Sequence, residues 1–231
     1  MKLQGCTLDD VATPGQQEAI LAGIRDSTTT SLRHLDLGDR FPVWVGPDIV
    51  AGATMKLETL KAGLSRPHLE AVITRLAATE DSRLRDLDLV YGGPVNFLSL
   101  DPEVVAGALT KLETVGLQLA DNLSAGQLPA LFSRIYQAPD LRLTRLCLFY
   151  KDISSVPPEV LTGAIQRLEV VQFVDGRMTE EQATAILTLA KEERLGKIKN
   201  ISIYRVADME SVSPSLLQEA RVNAKLEWID D

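Results

Sequence analysis

One phrase recurs down this chain and constrains its fold more than any other feature. It reads GPDIVAGATMKLETL from Gly46, DPEVVAGALTKLETV from Asp101, PPEVLTGAIQRLEVV from Pro157 and, more worn, SPSLLQEARVNAKLEWI from Ser213. The marker prolines are Pro47, Pro102, Pro158 and Pro214, so the phrase returns after 55, 56 and 56 residues. A fixed step over most of the length implies stacked units rather than an enzyme wrapped around a cleft.

Each step splits into two half-repeats, and each half contains one strand phrase. One series is Leu-x-x-Leu-x-Leu, as in Leu32/Leu35/Leu37, Leu84/Leu87/Leu89, Leu143/Leu146/Leu148 and Ile198/Ile201/Ile203. The looser series runs Leu3/Cys6/Leu8, Leu57/Leu60/Ala62, Leu112/Val115/Leu117 and Leu168/Val171/Phe173, and Leu226/Ile229 begins a further member. Alternation of apolar and polar residues marks strands buried on one face. The spacing predicts about nine short strands, roughly 28 residues apart.

Amphipathic helices fill the intervals. Thr13-Pro14-Gly15-Gln16, Ser124-Ala125-Gly126-Gln127 and Thr179-Glu180-Glu181-Gln182 have the form of capping boxes, and Ser65-Arg66-Pro67-His68 is the same place with a histidine in the fourth slot. They open the longer helices, whose inward residues are Ile20/Leu21/Ile24, Val72/Ile73/Leu76, Leu128/Leu131/Ile135 and Ile186/Leu187. The marker prolines open shorter helices, since proline is tolerated in a first helical turn.

In these repeats the chain resembles leucine-rich-repeat proteins of the ribonuclease-inhibitor type, such as ribonuclease inhibitors and the C-terminal repeat arrays of NOD-like receptors. The resemblance covers nearly all 231 residues. It implies an α/β fold: a curved right-handed solenoid, or horseshoe, with the parallel sheet on its concave side and helices on its convex side. Residues 1–231 are expected to form a single domain of about eight alternating half-repeats. In one respect the sequence departs from the family, whose Asn or Cys after the last strand leucine is replaced by Val11, Arg40, Ser65, Gly92, Ala120, Lys151, Gly176 and Val206. Irregular turns are expected there. Strand phrases begin at Lys2 and break off after Lys225, without the polar caps that solenoid ends need, so end-to-end self-association is an open expectation.

Composition narrows the partner. A formal charge of -8 disfavours nucleic acid and anionic membrane, both of which demand a basic footprint. No apolar run approaches the ~18 residues of a membrane span. The start of the chain, with Gln4, Gly5, Asp9 and Asp10, has no signal-peptide character. Two cysteines, Cys6 and Cys147, make no disulfide framework, and a cytoplasmic location is expected.

Candidate chemistry is sparse. His34 and His68 fall on different elements, no cluster has metal-ligand spacing, and Cys147 has no histidine near to activate it. The expectation is a non-enzyme, without cofactor or metal. The residue after the first leucine of each phrase runs Gln4, Arg33, Glu58, Arg85, Glu113, Thr144, Glu169, Lys199 and Glu227, which alternates acid with base wherever it is charged. Such a column reads as a ladder of cross-strand pairs. The residue after the third leucine turns apolar and aromatic towards the C-terminal half, at Phe149, Val174 and Tyr204. Aromatic residues on an open face are common binding anchors. Gln118, Arg145, Phe149, Gln172, Val174 and Tyr204 are therefore the expected partner-binding residues. Asp36, Asp86 and Asp88 make the N-terminal half acidic, with Lys61 among them. The function expected is non-catalytic recognition of a protein partner on the concave face. The alternatives are a regulator of an enzyme, either a ribonuclease-inhibitor-like inhibitor or a Ran GTPase-activating-like protein, and a structural assembly block.

Overall fold

Proline has no N–H to donate, so it sits without cost where a helix has no acceptor for that donor. The four marker prolines do this in the computed structural model: they open α2 (Pro47–Thr54), α4 (Pro102–Leu109), α6 (Pro158–Ile165) and α8 (Pro214–Ala220). The structure describes residues 5–7, 13–38, 44–89, 100–117, 126–149, 152–192, 194, 196–204, 213–220 and 226–229. The longer helices are α1 (Pro14–Asp26), α3 (Arg66–Ala78), α5 (Gln127–Gln137) and α7 (Glu180–Lys191).

Nine strands alternate with these helices: β1 (Gly5–Thr7), β2 (His34–Asp36), β3 (Thr59–Lys61), β4 (Asp86–Leu89), β5 (Thr114–Leu117), β6 (Arg145–Phe149), β7 (Val170–Val174), β8 (Asn200–Tyr204) and β9 (Leu226–Ile229). They form one sheet in sequence order, and every pairing is parallel. Parallel neighbours need a crossover, which each intervening helix provides. The order fits a solenoid in which every unit packs on the units before and after it.

The leucine positions line up across the sheet. Leu35, Leu60, Leu87, Val115, Leu146, Val171, Ile201 and Leu226 are successive register partners, and all are buried. They join Val72, Leu76, Leu131, Ile135, Ile186 and Leu187 from the long helices in one core. Each such side chain contributes roughly 1.5–3 kcal/mol by leaving water. One inward residue is misassigned by helical spacing: Ile20 is 38% exposed, while Leu21 and Ile24 are buried.

The last strand corrects the sequence reading. Leu226 pairs with Ile201, the second apolar position of its phrase, and not with Ile198, the first. The cause is spacing: twelve residues separate Pro214 from Leu226, against ten from Pro47 to Leu57, from Pro102 to Leu112 and from Pro158 to Leu168. Glu227 therefore stands beside Ser202 and leaves the alternating column.

The helix starts follow the capping phrases at three places of four. Thr13, Ser65 and Thr179 are the N-caps of α1, α3 and α7. Around Thr179 the box is complete, with Gln182 N–H donating to Thr179 Oγ1 at 3.2 Å and Thr179 N–H to Gln182 Oε1 at 2.8 Å. Around Thr13, Gln16 Oε1 accepts from both the main-chain N–H and the hydroxyl, at 2.9 and 3.0 Å. At the fourth place α5 begins at Gln127 behind Gly126, later than the Ser124 phrase predicts, and Ser124 lies outside the described residues. Of the eight turn positions that depart from the family pattern, only Ser65 and Gly176 fall within the described residues.

A second regularity ties the units together. His68, Gln127 and Gln182, the fourth residues of their capping phrases, are all buried. Each reaches back to a carbonyl two residues before a marker proline: His68 Nε2 to Val45 O at 2.6 Å, Gln127 Nε2 to Leu100 O at 3.0 Å, and Gln182 Nε2 to Val156 O at 2.5 Å. These buried side chains satisfy carbonyls that would otherwise be stranded in the core.

Candidate recognition surface

Strand side chains alternate between faces, so each strand directs its leucines to the helices and its other residues to the open face of the sheet. The register builds rows on that face. In the C-terminal half, Phe149, Val174 and Tyr204 are partners on β6, β7 and β8, which places them side by side at roughly the 4.8 Å strand spacing. All three are half-buried. Gln172 lies one row below, and Arg145, exposed, two rows below. Five of the six expected binding residues thus share one patch of three adjacent strands. The sixth, Gln118, lies outside the described residues.

Polar contacts orient this patch. The Cys147 thiol donates to Gln172 Oε1 at 3.2 Å. Burial pushes the thiol's pKa up, against the opposing pull of Arg145, so Cys147 is held as a thiol and not as a nucleophilic thiolate. The Tyr204 hydroxyl bonds to the Glu227 carboxylate, and that bond, helped by burial, raises the tyrosine pKa. Ser202 Oγ donates to the same carboxylate at 3.2 Å. The corrected register of β9 is what brings Glu227 within reach.

The N-terminal half of the face is acidic but internally balanced. Lys61 stands between Asp36 and Asp88 in register, and its Nζ lies 3.5 Å from Asp36 Oδ2. Burial raises the Asp88 pKa, Lys61 opposes the rise and Asp36 adds to it. One row below, a hydrogen-bonded chain crosses three strands. His34 Nδ1 lies 3.0 Å from Thr59 Oγ1, which donates to Asp86 Oδ2 at 3.2 Å. The alternating charge column does not reveal this chain, because that column is the first of the two residues between the first and second leucines. The row His34, Thr59, Asp86 occupies the other.

At the entry to the strands, the alternating column forms discrete ion pairs. Arg33 meets Glu58 at 3.0 Å, Arg85 meets Glu113 at 3.0 Å, and Lys199 meets Glu169 at 2.7 Å. At least a third of each side chain is in water, which limits each pair to about 0–1 kcal/mol. The basic residue before the leucine that precedes Glu113, and the one that similarly precedes Glu169, have a different task. Lys111 Nζ donates to the carbonyls of Leu76, Ala77 and Thr79 at 3.1, 2.6 and 3.1 Å, closing the C-terminal end of α3. Arg167 does the same for α5 through Tyr136 O and Ala138 O. Cations at that end also oppose the negative pole of the helix.

Among the described residues no group of His, Cys, Asp and Glu could hold a metal ion, and no helix is long and apolar enough to cross a membrane. No protein-family model matches this chain, and no curated protein matches it in sequence.

Proposed function

We propose that this chain is a non-catalytic recognition module, a leucine-rich-repeat horseshoe of the ribonuclease-inhibitor type that binds a protein partner on the concave face of its sheet. The carrying observation is the register of Phe149, Val174 and Tyr204, which makes a short apolar strip flanked by Gln172 and Arg145. An apolar centre with a polar surround suits protein recognition, because the strip excludes water while the surround sets specificity. Arg145 supplies a cation to this patch, and the Glu227 carboxylate beside the Tyr204 hydroxyl supplies an acceptor at its edge. The whole chain forms one domain in this reading, and the cytoplasm is its compartment.

The test uses the intact chain as bait against a cytoplasmic extract, in parallel with Phe149→Ala and Tyr204→Ala. Proteins held by the wild type should be lost from both variants, with thermal melting showing that the fold survives. If both variants retain the same proteins and charge reversal at Asp36 or Asp88 releases them, recognition belongs to the N-terminal half.

A further inference from the structure

A groove of about 960 Å³ runs along the strand entries past β2 to β6, apart from the C-terminal patch. Its walls carry six cationic side chains, Arg33, Lys56, Arg83, Arg85, Lys111 and Arg142, against two carboxylates, Glu58 and Glu113. That balance is the reverse of the chain's, whose formal charge is -8. We infer that this groove is a second binding site, which takes an extended acidic peptide segment.

The sequence builds the groove by repetition. From the second strand phrase to the eighth, the residue just before the first leucine is Ser31, Lys56, Arg83, Lys111, Arg142, Arg167 and Lys197, and all but the first are basic. The need for a cation at helix ends explains only part of this column. Lys111 already closes α3 and Arg167 already closes α5. Arg83 and Arg142 follow those same two helices and are surplus to that need. Both are exposed, as is Lys56, and among the described residues no carboxylate lies within ion-pair distance of any of the three. Arg33 and Arg85 are occupied by Glu58 and Glu113. The unmatched charge is therefore that of Lys56, Arg83 and Arg142, concentrated in a concave wall that focuses its field.

Geometry and chemistry select the ligand. Lys56, Arg83 and Arg142 enter β3, β4 and β6, so they span about 14 Å at the spacing of parallel strands, the length of four or five residues of extended peptide. The Thr30 hydroxyl on the wall accepts from Leu32 N–H and keeps its own hydrogen, which it can donate to a carboxylate or a main-chain carbonyl. Among the described residues no aromatic side chain lines the groove, and the stacking platform of single-stranded nucleic-acid sites has no counterpart among them. Glu58 and Glu113 would repel a continuous phosphate backbone, whereas a peptide can set neutral residues opposite them.

Fluorescence anisotropy with a fluorescein-labelled deca-glutamate peptide and the full chain tests the assignment. Saturable binding is expected at low salt and should weaken as salt rises, since exposed charges are screened. The double variant Arg83→Glu/Arg142→Glu should weaken binding by about tenfold or more, because like charge then faces the ligand. Arg83→Gln/Arg142→Gln, which disturbs the fold less, should give a smaller loss in the same direction, and Phe149→Ala should bind like the wild type. No saturable binding by the wild type overturns the proposal, and so does unchanged affinity in both double variants. An equal loss with Phe149→Ala would place the peptide on the other patch, and tighter binding of an oligothymidylate would show the ligand to be nucleic acid. Failure of this site leaves the C-terminal patch untouched, since the two use different side chains.

Discussion

His68 and Val45 are joined across 23 residues of chain by a 2.6 Å hydrogen bond from the imidazole Nε2 to the main-chain carbonyl. A carbonyl only accepts, so Nε2 carries a proton, and Nδ1 is set against Ser65 Oγ at 2.6 Å. The histidine links the cap of α3 to the turn before α2 with 1% of its surface exposed. Its role is structural.

The sister units use glutamine for the same reach, from Gln127 to Leu100 and from Gln182 to Val156. His68→Gln should therefore keep most of the stability, within about 1 kcal/mol. His68→Leu leaves the Val45 carbonyl stranded in the core and should cost about 1–3 kcal/mol. Urea denaturation of the two variants decides the point: equal losses would mean that the hydrogen bond to Val45 contributes nothing beyond packing.

Lys111 offers a second test. Three carbonyls at the end of α3 converge on its ammonium group, and hydrogen bonds to a charged donor are worth about 1.5–3 kcal/mol. Lys111→Met keeps the length of the side chain and removes the donor. A loss of about 1–3 kcal/mol is expected, accompanied by faster amide exchange at the C-terminal turn of α3. Exchange as slow as in the wild type would mean that water serves those carbonyls equally well.

These contacts show what the sequence made legible. Strand positions were readable because leucine spacing alone decides which face of a strand is buried, and Leu87 or Leu146 needs no knowledge of its neighbour. Helix starts were readable where the cap and its partner are three residues apart, as at Thr179 and Gln182. The task of Lys111 was not readable, because its acceptors lie 32 to 35 residues away and belong to another unit. The register of β9 was misread because Lys225-Leu226-Glu227 repeats the wording of Lys111-Leu112-Glu113, while the count from the marker proline differs by two. The row of Phe149, Val174 and Tyr204 was legible as a column of residues. That its Tyr204 is tied to Glu227 follows only from the corrected register.

The pair Arg85–Glu113 tests the ladder at the strand entries. Glu113→Lys puts two cations where a 3.0 Å ion pair stood and should lower stability by about 0.2–1 kcal/mol. High salt should shrink that loss, since both side chains are exposed and screened. A loss that salt leaves unchanged would point to packing and not to charge.

Asp88 carries a pH signature. Its pKa is raised in the folded protein, chiefly by burial, so the folded state holds the proton more tightly than the unfolded chain does. The stability of the wild type should accordingly fall as pH climbs from the ordinary aspartate value of 3.8 through the raised folded value. Asp88→Asn removes the titration and should be the more stable protein at neutral pH, with the advantage vanishing in acid. A variant less stable than the wild type at neutral pH would mean that the attraction of Lys61 outweighs the burial of the carboxylate. Denaturation midpoints across the pH range distinguish the two outcomes.

The glycines of the short helices make the sharpest comparison. Gly107 and Gly163 occupy the same place in α4 and α6, yet a Cβ at Gly163 would lie 2.5 Å from the Tyr136 ring, while one at Gly107 would meet nothing within 4 Å. The difference originates on the preceding long helix. Tyr136 is the next-to-last residue of α5, and its counterpart on α3 is the small Ala77. A glycine inside a helix costs about 0.5–1 kcal/mol relative to alanine. Gly107→Ala should recover that amount. Gly163→Ala should give a net loss, because the aromatic ring must leave its seat to make room. Tyr136→Ala should remove the clash, so that Gly163→Ala becomes favourable in that background. Thermal or urea denaturation of the four proteins in this double-mutant cycle measures the coupling directly. Equal effects of Gly163→Ala with and without the tyrosine would show that the ring does not rest on α6.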